Sequence, residues 1–163
     1  MDKRTVANFI QRWPLPFRLA QIAWRRVVPP WMTAGAVGAV YNAEGAILLV
    51  EHVFHPKCPW GLPGGWMNRN EDPAQTVARE LREETGLTVT IERPLVISSK
   101  SELRHHLDIG FLCRAETDAI HLSSELMDYR WIRPGIDTVP PLMTFHGLVF
   151  EAATAELRKQ VRV

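Results

Sequence analysis

The sequence predicts an α/β fold, an α/β/α sandwich with a mixed β-sheet between helices. Three observations predict it. Apolar strand patterns precede and follow one strongly capped helix near the middle of the chain. A second helical pattern closes the chain. The resulting order is hairpin, strand, helix, several strands, helix, which suits helices packed on the faces of one sheet.

At 163 residues, with 46% apolar and 23% charged residues, the chain fits one ordinary globular core. A formal net charge of +1 gives no general electrostatic case for nucleic-acid binding. Cys58 and Cys113 stand far apart without metal-ligand spacing, and a reducing cytoplasm suits them. No apolar run is long enough to span a membrane, and arginines interrupt the N-terminal segment where a secretory signal would lie.

Residues 1–31 differ from the rest. Lys3, Arg4, Arg12, Arg18, Arg25 and Arg26 face only Asp2, so this segment carries +5 and the remainder −4. Pro14 and Pro16 break it and Pro29-Pro30 close it. Between them Phe17, Ala20, Ala23, Trp24 and Val27 line one side of a short helix. The expected organisation is an N-terminal basic and aromatic extension over 1–31, followed by the domain proper over 32–163. A twelve-residue helix is marginal alone in water, so docking on protein, in cis or across a homodimer, is expected over membrane binding.

From Thr33 to Tyr41, small residues and valine make a strand, and Ala46 to His52 makes a buried one. Asn42 to Gly45 is the turn that would join them as a hairpin. Val53 to Pro59 is a loop. His52 and His55 are open to metal ligation, substrate contact or solvation, and Lys57 to a phosphate or to solvent. Trp60 to Gly65 runs from strand into turn, where Gly64 and Gly65 permit conformations closed to other residues. Thr88 to Ile91 and Leu95 to Ser98 read as two short strands. His105 to Arg114 alternates with Leu107, Ile109 and Phe111 on one face. Ser123 to Asp128 is a loop or helical turn, and Tyr129 to Ile132 a strand. The last helix runs over about Phe145 to Gln160, with Leu148, Val149, Ala152 and Leu157 as its packing stripe.

The central helix has the clearest local grammar. Asp72 is an N-cap, Pro73 takes the first helical position, and Gln75 completes a capping box. Strong helix formers follow through Glu84, and Gly86 suits a left-handed C-cap. Ala74, Val77, Ala78 and Leu81 form the apolar stripe. Glu80, Glu83 and Glu84 crowd beside it, with Arg79 the obvious helix-borne counter-charge. At an effective dielectric of 20, each like-charge pair near 6 Å costs about 2–3 kcal/mol. A divalent cation would remove that repulsion, and carboxylate oxygens are what magnesium prefers.

The stretch Gly65 to Leu87 resembles the Nudix box. Gly65, Glu71, Arg79, Glu80, Leu81, Glu83, Glu84, Gly86 and Leu87 all match, without departure. The flanking hydrophobic pattern extends the likeness over about Ala34 to Ile132. The resemblance implies hydrolysis of a nucleoside diphosphate linked to another group, with magnesium, or manganese in its place, as the ion. It further implies Glu83 and Glu84 as metal ligands, Glu80 as ligand or general base, and the Gly64 carbonyl as another ligand. Glu125, six residues before Trp131, matches an acid that the family often places before such a strand. Some members draw the base from a loop, and here Glu102 is that candidate. Arg79 would orient Glu83 or Glu84, and Glu71 would support the loop or an outer shell of the metal. His52, Lys57, Trp60 and Gly65 are the expected substrate contacts, with Gly86 structural. Trp60, Trp66, Phe54 and His106 are the aromatic candidates for stacking on a base. A non-catalytic nucleotide-sensing module, or an isomerase on the same fold, are the rival readings. The box says nothing about which nucleotide is used.

Overall fold

The computed structural model describes residues 32–53, 57–99, 103–117 and 119–160, together with Leu19 and Ala23. The chain divides into two units, Met1–Met32 and Thr33–Val163. The described elements all belong to the second. Apart from Leu19 and Ala23, the expected helix over Phe17 to Val28 falls outside the described residues, as do Phe54, His55 and Glu102.

Among the described residues, seven strands form one mixed sheet. They are β1 (Thr33–Tyr41), β2 (Ile47–His52), β3 (Trp60–Gly61), β4 (Gly64–Trp66), β5 (Val89–Ser98), β6 (His106–Ala115) and β7 (Leu126–Ile132). The helices are α1 (Pro73–Thr85) and α2 (Thr144–Gln160). The sheet runs β3-β2-β1-β6-β5, with β4 paired to β1 and β7 paired to β2. The β1–β6 pair is parallel and extends from Thr33↔His106 to Tyr41↔Arg114, while the other pairs are antiparallel.

Alternation along the strands sends successive side chains to opposite faces. Ala36, Val40, Ile109, Phe111 and Cys113 pack with Val77 and Leu81 of α1. Val37, Ala39 and Leu112 pack with Phe145, Val149, Phe150, Ala153 and Leu157 of α2. Each helix seats on bare backbone. A Cβ at Gly38 would lie 2.9 Å from Val77 Cγ1, and one at Gly110 would lie 2.3 Å from Val149 Cγ2. These two glycines bring the helices close and set their rotation over the sheet.

Several expected elements take a different form. The hairpin of β1 and β2 is paired only at Tyr41↔Ile47, because β4 takes the same edge of β1 over Gly35 to Val37. The two short strands before β6 are one continuous strand, β5, with register shifts between Ile91 and Arg93 and between Pro94 and Val96. Pro94 is tolerated because β5 is the edge strand, so its missing N–H need not break a ladder on both sides. On α2 the seat of Val149 over Gly110 turns Leu148 outward, 47% exposed, and the buried stripe is Phe145, Val149, Phe150, Ala153 and Leu157. Strand β7 starts at Leu126, three residues before the expected start, which puts Glu125 immediately ahead of it. No described helix is long and apolar enough to cross a membrane.

Candidate active site

The central helix forms as its caps dictate. The Asp72 side chain accepts from the Ala74 N–H at 2.9 Å, and the Gln75 side chain accepts from the Asp72 N–H at 3.3 Å. Gly86 closes the helix at φ 73°, donating its N–H to the Arg82 carbonyl. Between these stops the acid face is aimed at the loop joining β3 to β4.

That loop is pressed against β1. At Gly64, φ is 148°, and a Cβ there would lie 2.3 Å from the Ala36 carbonyl oxygen. Only glycine fits, and its bare backbone leaves the N–H free to donate to Glu84 Oε2 at 3.0 Å. At Gly65 a Cβ would stand 2.5 Å from Glu80 Oε1, so the second glycine makes room for the Glu80 carboxylate. The loop is also braced from α2, where His146 Nδ1 accepts the Leu62 N–H at 2.9 Å.

Arg79 gathers the acids. Its Nε and Nη2 donate to the two oxygens of Glu71 at 2.8 and 3.0 Å, a bidentate pair. Its Nη1 donates to Glu80 Oε1 at 2.8 Å and to Glu83 Oε2 at 3.1 Å, and Nη2 also reaches the Trp66 carbonyl at 3.1 Å. The expected pairing of Arg79 with Glu83 is thus one of several. Glu71 is the anchor: it also accepts from the Asn68 N–H and the Thr76 hydroxyl, each at 2.9 Å. The Arg79 hydrogen bonds, then the Asn68 N–H, hold the Glu71 carboxyl down to about 2. Hydrogen bonds to Glu71 first, then to Glu80 and Glu83, raise Arg79 further against the cost of burial, so the guanidinium stays charged.

Glu84 stands apart from that network. It is 7% exposed. Burial pushes its carboxyl up to about 8, against the pull of the Gly64 N–H, and the nearby charges of Glu80, Glu125 and Glu83 push in the same direction. A buried carboxylate repelled by three others is a site short of positive charge.

Glu80, Glu83, Glu84 and Glu125 line one cavity of about 850 Å³. Gly64, Gly65, Arg79 and His52 line it too. Other expected residues lie elsewhere. Trp60 is buried in the core on the α2 face, with the Arg130 guanidinium 4.3 Å above its ring. Lys57 is exposed and does not line the cavity. Gly86 caps the far end of α1, against His121.

The cavity has a second wall that sequence reasoning largely missed: Asp108 and His106 from β6, and Thr144, Phe145 and His146 from the start of α2. The signal for the first pair was present. His106 and Asp108 alternate with Leu107 and Ile109, so two polar residues occupy a strand face that a two-layered core would cover.

The donor set suits a hard divalent cation, since four carboxylates share one cavity and one of them is buried among like charges. Among the described residues, no three His, Cys, Asp or Glu side chains close on one point as a preformed cage. Arg79 holds Glu80 and Glu83 in its own fork instead. Each of those two carboxylates keeps one oxygen outside the fork, Glu80 Oε2 and Glu83 Oε1, that it would offer the cation.

A family model described as the NUDIX domain matches residues 31–139. The chain belongs to the Nudix family. A MutT-like protein of Streptomyces ambofaciens is 30% identical over 106 residues, 65% of this chain and 67% of that protein. Nudix hydrolase 7 of Arabidopsis thaliana is 32% identical over 106 residues, a span covering 61% of this chain and only 38% of the plant protein. The crystal structure of an ADP-ribose pyrophosphatase from Streptococcus suis superposes with a TM-score of 0.61 at 25% identity, covering 80% of this chain and 92% of that one. The NUDIX domain of Shewanella oneidensis NrtR, crystallised with ADP ribose, shares the fold with a TM-score of 0.64 at 22% identity, covering 77% and 88%. With its complete box and this family membership, the chain is an enzyme of the Nudix pyrophosphohydrolase type.

Proposed function

We propose that this Nudix enzyme hydrolyses a phosphoanhydride bond in a nucleoside diphosphate linked to another moiety, using magnesium, with manganese as a substitute. The observation that carries the proposal is the buried Glu84, surrounded by the charges of Glu80, Glu83 and Glu125 beside a cavity large enough for a nucleotide. Glu83 and Glu84 would hold the metal, joined by Glu80, Glu125 and the Gly64 carbonyl. The bound ion would supply neutralisation of phosphate charge and a lowered pKa for water.

The chain's own residues do the rest. Arg79, fixed bidentately by Glu71, holds Glu80 and Glu83 in place and is a positioning residue rather than a base. Glu80 is the proposed general base, and Glu102 the alternative. Its carboxylate takes the proton as water attacks phosphorus; a new P–O bond forms, and the bond to the bridging oxygen breaks. A nucleoside monophosphate and the phosphorylated second moiety leave, whichever of the two phosphorus atoms the water attacks. Gly65, which makes room for the Glu80 carboxylate and lines the cavity, is proposed as a backbone contact for the substrate. His52, lining the same cavity, is proposed as a substrate contact.

A panel of nucleoside diphosphate-linked compounds, including ADP-ribose, nucleoside triphosphates and dinucleoside polyphosphates, tests the proposal when incubated with magnesium and analysed for products. Turnover giving a nucleoside monophosphate from at least one member is expected. Binding without product throughout would favour a nucleotide sensor, and a rearranged product without hydrolysis an isomerase.

A further inference from the structure

The proposed chemistry uses one wall of the cavity and leaves the other without a task. On that other wall, Trp66 of β4 and Asp108 of β6 are both Cα partners of Gly35 on β1. Side chains at paired positions share a face of the sheet, so an indole and a carboxylate flank a residue that has no side chain. Two strand spacings separate their backbones by roughly 10 Å. Gly35 is bare of necessity: a Cβ there would lie 3.1 Å from His106 Nε2 and 3.3 Å from the Gly65 carbonyl oxygen.

Both flanking groups are prepared for a ligand. Trp66 is 55% exposed although it lines the cavity, so its indole is not spent on the core. Its edge meets the His106 ring with centroids 4.9 Å apart, and its carbonyl is held by Arg79. Asp108 is oriented by His106, whose Nε2 lies 3.1 Å from Asp108 Oδ1. The other ring nitrogen, Nδ1, lies 2.7 Å from the Thr33 hydroxyl. With Nε2–H donating to the carboxylate, Nδ1 accepts from Thr33, so the ring is fixed at both ends. His106 is 4% exposed and serves to position Asp108 rather than to meet a ligand itself. Asp108 also lines the cavity with Trp66, and its second oxygen, Oδ2, is an acceptor that His106 does not use.

We infer that Trp66 and Asp108 form the nucleobase end of the cavity and select a base whose edge presents N–H donors, guanine best. The inference rests on the reading of the cavity as a nucleotide site and deepens it. The selection follows from hydrogen-bond chemistry. An ionised carboxylate only accepts. Guanine offers two adjacent donors, N1–H and N2–H, on one edge. Adenine and cytosine set an acceptor beside their amino group, and uracil flanks its single N–H with two carbonyls. Stacking on an indole is indifferent to the base, so Trp66 supplies affinity and Asp108 supplies choice.

The test combines binding with turnover. GMP, AMP, CMP and UMP are titrated calorimetrically into the full-length protein, and kcat/KM is measured for the matching nucleoside diphosphate-linked substrates. The comparison uses wild type, Asp108→Asn and Trp66→Ala. Asp108→Asn keeps an acceptor for His106 and the shape of the side chain, so the fold is retained. It should weaken guanine binding and kcat/KM by about 10- to 100-fold, chiefly through KM, and leave uracil within about threefold. Trp66→Ala, at an exposed position, should weaken all four bases by about tenfold or more. Equal effects of Asp108→Asn on all bases, or none on any, would overturn the inference, as would a wild type that binds no nucleotide. If wild type prefers GMP through Asp108 yet hydrolyses nothing, the inference stands and the hydrolase proposal falls. If it hydrolyses its substrates without regard to Asp108, the reverse holds.

Discussion

Replacing Glu84 by glutamine should stabilise the metal-free protein, although it removes a residue of the proposed metal site. The glutamine keeps the shape and still offers an oxygen to the Gly64 N–H, now 3.0 Å from Glu84 Oε2. What it removes is a carboxyl that keeps its proton up to about 8 in the fold, against 4.5 for the ordinary group. The sign follows from linkage. Below pH 4.5 both states are protonated and the residue costs nothing. As pH rises above that, the unfolded chain gains by ionising and the folded chain does not, so stability falls until about pH 8. Each pH unit is worth about 1.4 kcal/mol, giving a cost on the order of 3 kcal/mol at pH 7. For a chain of this size, that corresponds to roughly 5–10 °C in Tm. Thermal unfolding of wild type and Glu84→Gln, in chelator, at pH 4, 7 and 8, checks it. The variant should melt higher at pH 7 and 8 and match wild type at pH 4. Added magnesium should then raise the wild type more than the variant, because only the wild type regains charge there. A variant that melts at or below wild type at pH 7 in chelator would refute the reasoning about the site's uncompensated charge.

Three further outcomes are expected. Glu80→Gln should lose turnover at saturating magnesium while Glu102→Gln retains it; loss in the second alone would move the base to the loop. Gly110→Ala should destabilise by about 1–3 kcal/mol in denaturant unfolding, because its Cβ would meet Val149 at 2.3 Å and push α2 off the sheet. An unchanged midpoint would show that α2 is not seated there. Removing residues 1–30 should lower Tm or dissociate a dimer, measured by calorimetry and light scattering. Unchanged stability and mass, with full-length protein sedimenting on anionic vesicles, would favour a membrane role for the extension.

Where the physics is local, the sequence was readable. The Asp72 cap, Gln75 and Gly86 placed α1 to within one residue of its end. Glu80, Glu83 and Glu84 follow from helical spacing alone. Long-range pairing was not readable. The parallel partner of β1 is β6, with Thr33 and His106 73 residues apart, and nothing in either strand names the other. The gap between the two expected strands contains Pro94, whose tolerance within β5 depends on that strand being at an edge, a property of the whole sheet. Arg79 looked like a partner for Glu83 because both lie on the helix. Its bidentate partner Glu71 lies before the N-cap, and only the folded loop brings it within 2.8 Å. The stripe on α2 shifted because Gly110, 39 residues before Val149 in sequence, decides which side of the helix can approach. Trp60 shows the opposite limit: an aromatic beside the box has the composition of a stacking residue and the position of a core one.

The most direct test of the central proposal, carboxylate-held magnesium on α1 driving phosphoanhydride hydrolysis, is kcat as a function of magnesium for wild type and Glu83→Gln on the best substrate of the panel. Glu83 is well exposed, its side chain 60% accessible, so the amide leaves the fold intact. Wild type should be silent in chelator and recover with magnesium or manganese. The variant should stay lower by about 10²-fold or more at every magnesium concentration, with an unchanged melting curve in chelator. Near-normal turnover by Glu83→Gln at saturating magnesium would contradict the assignment.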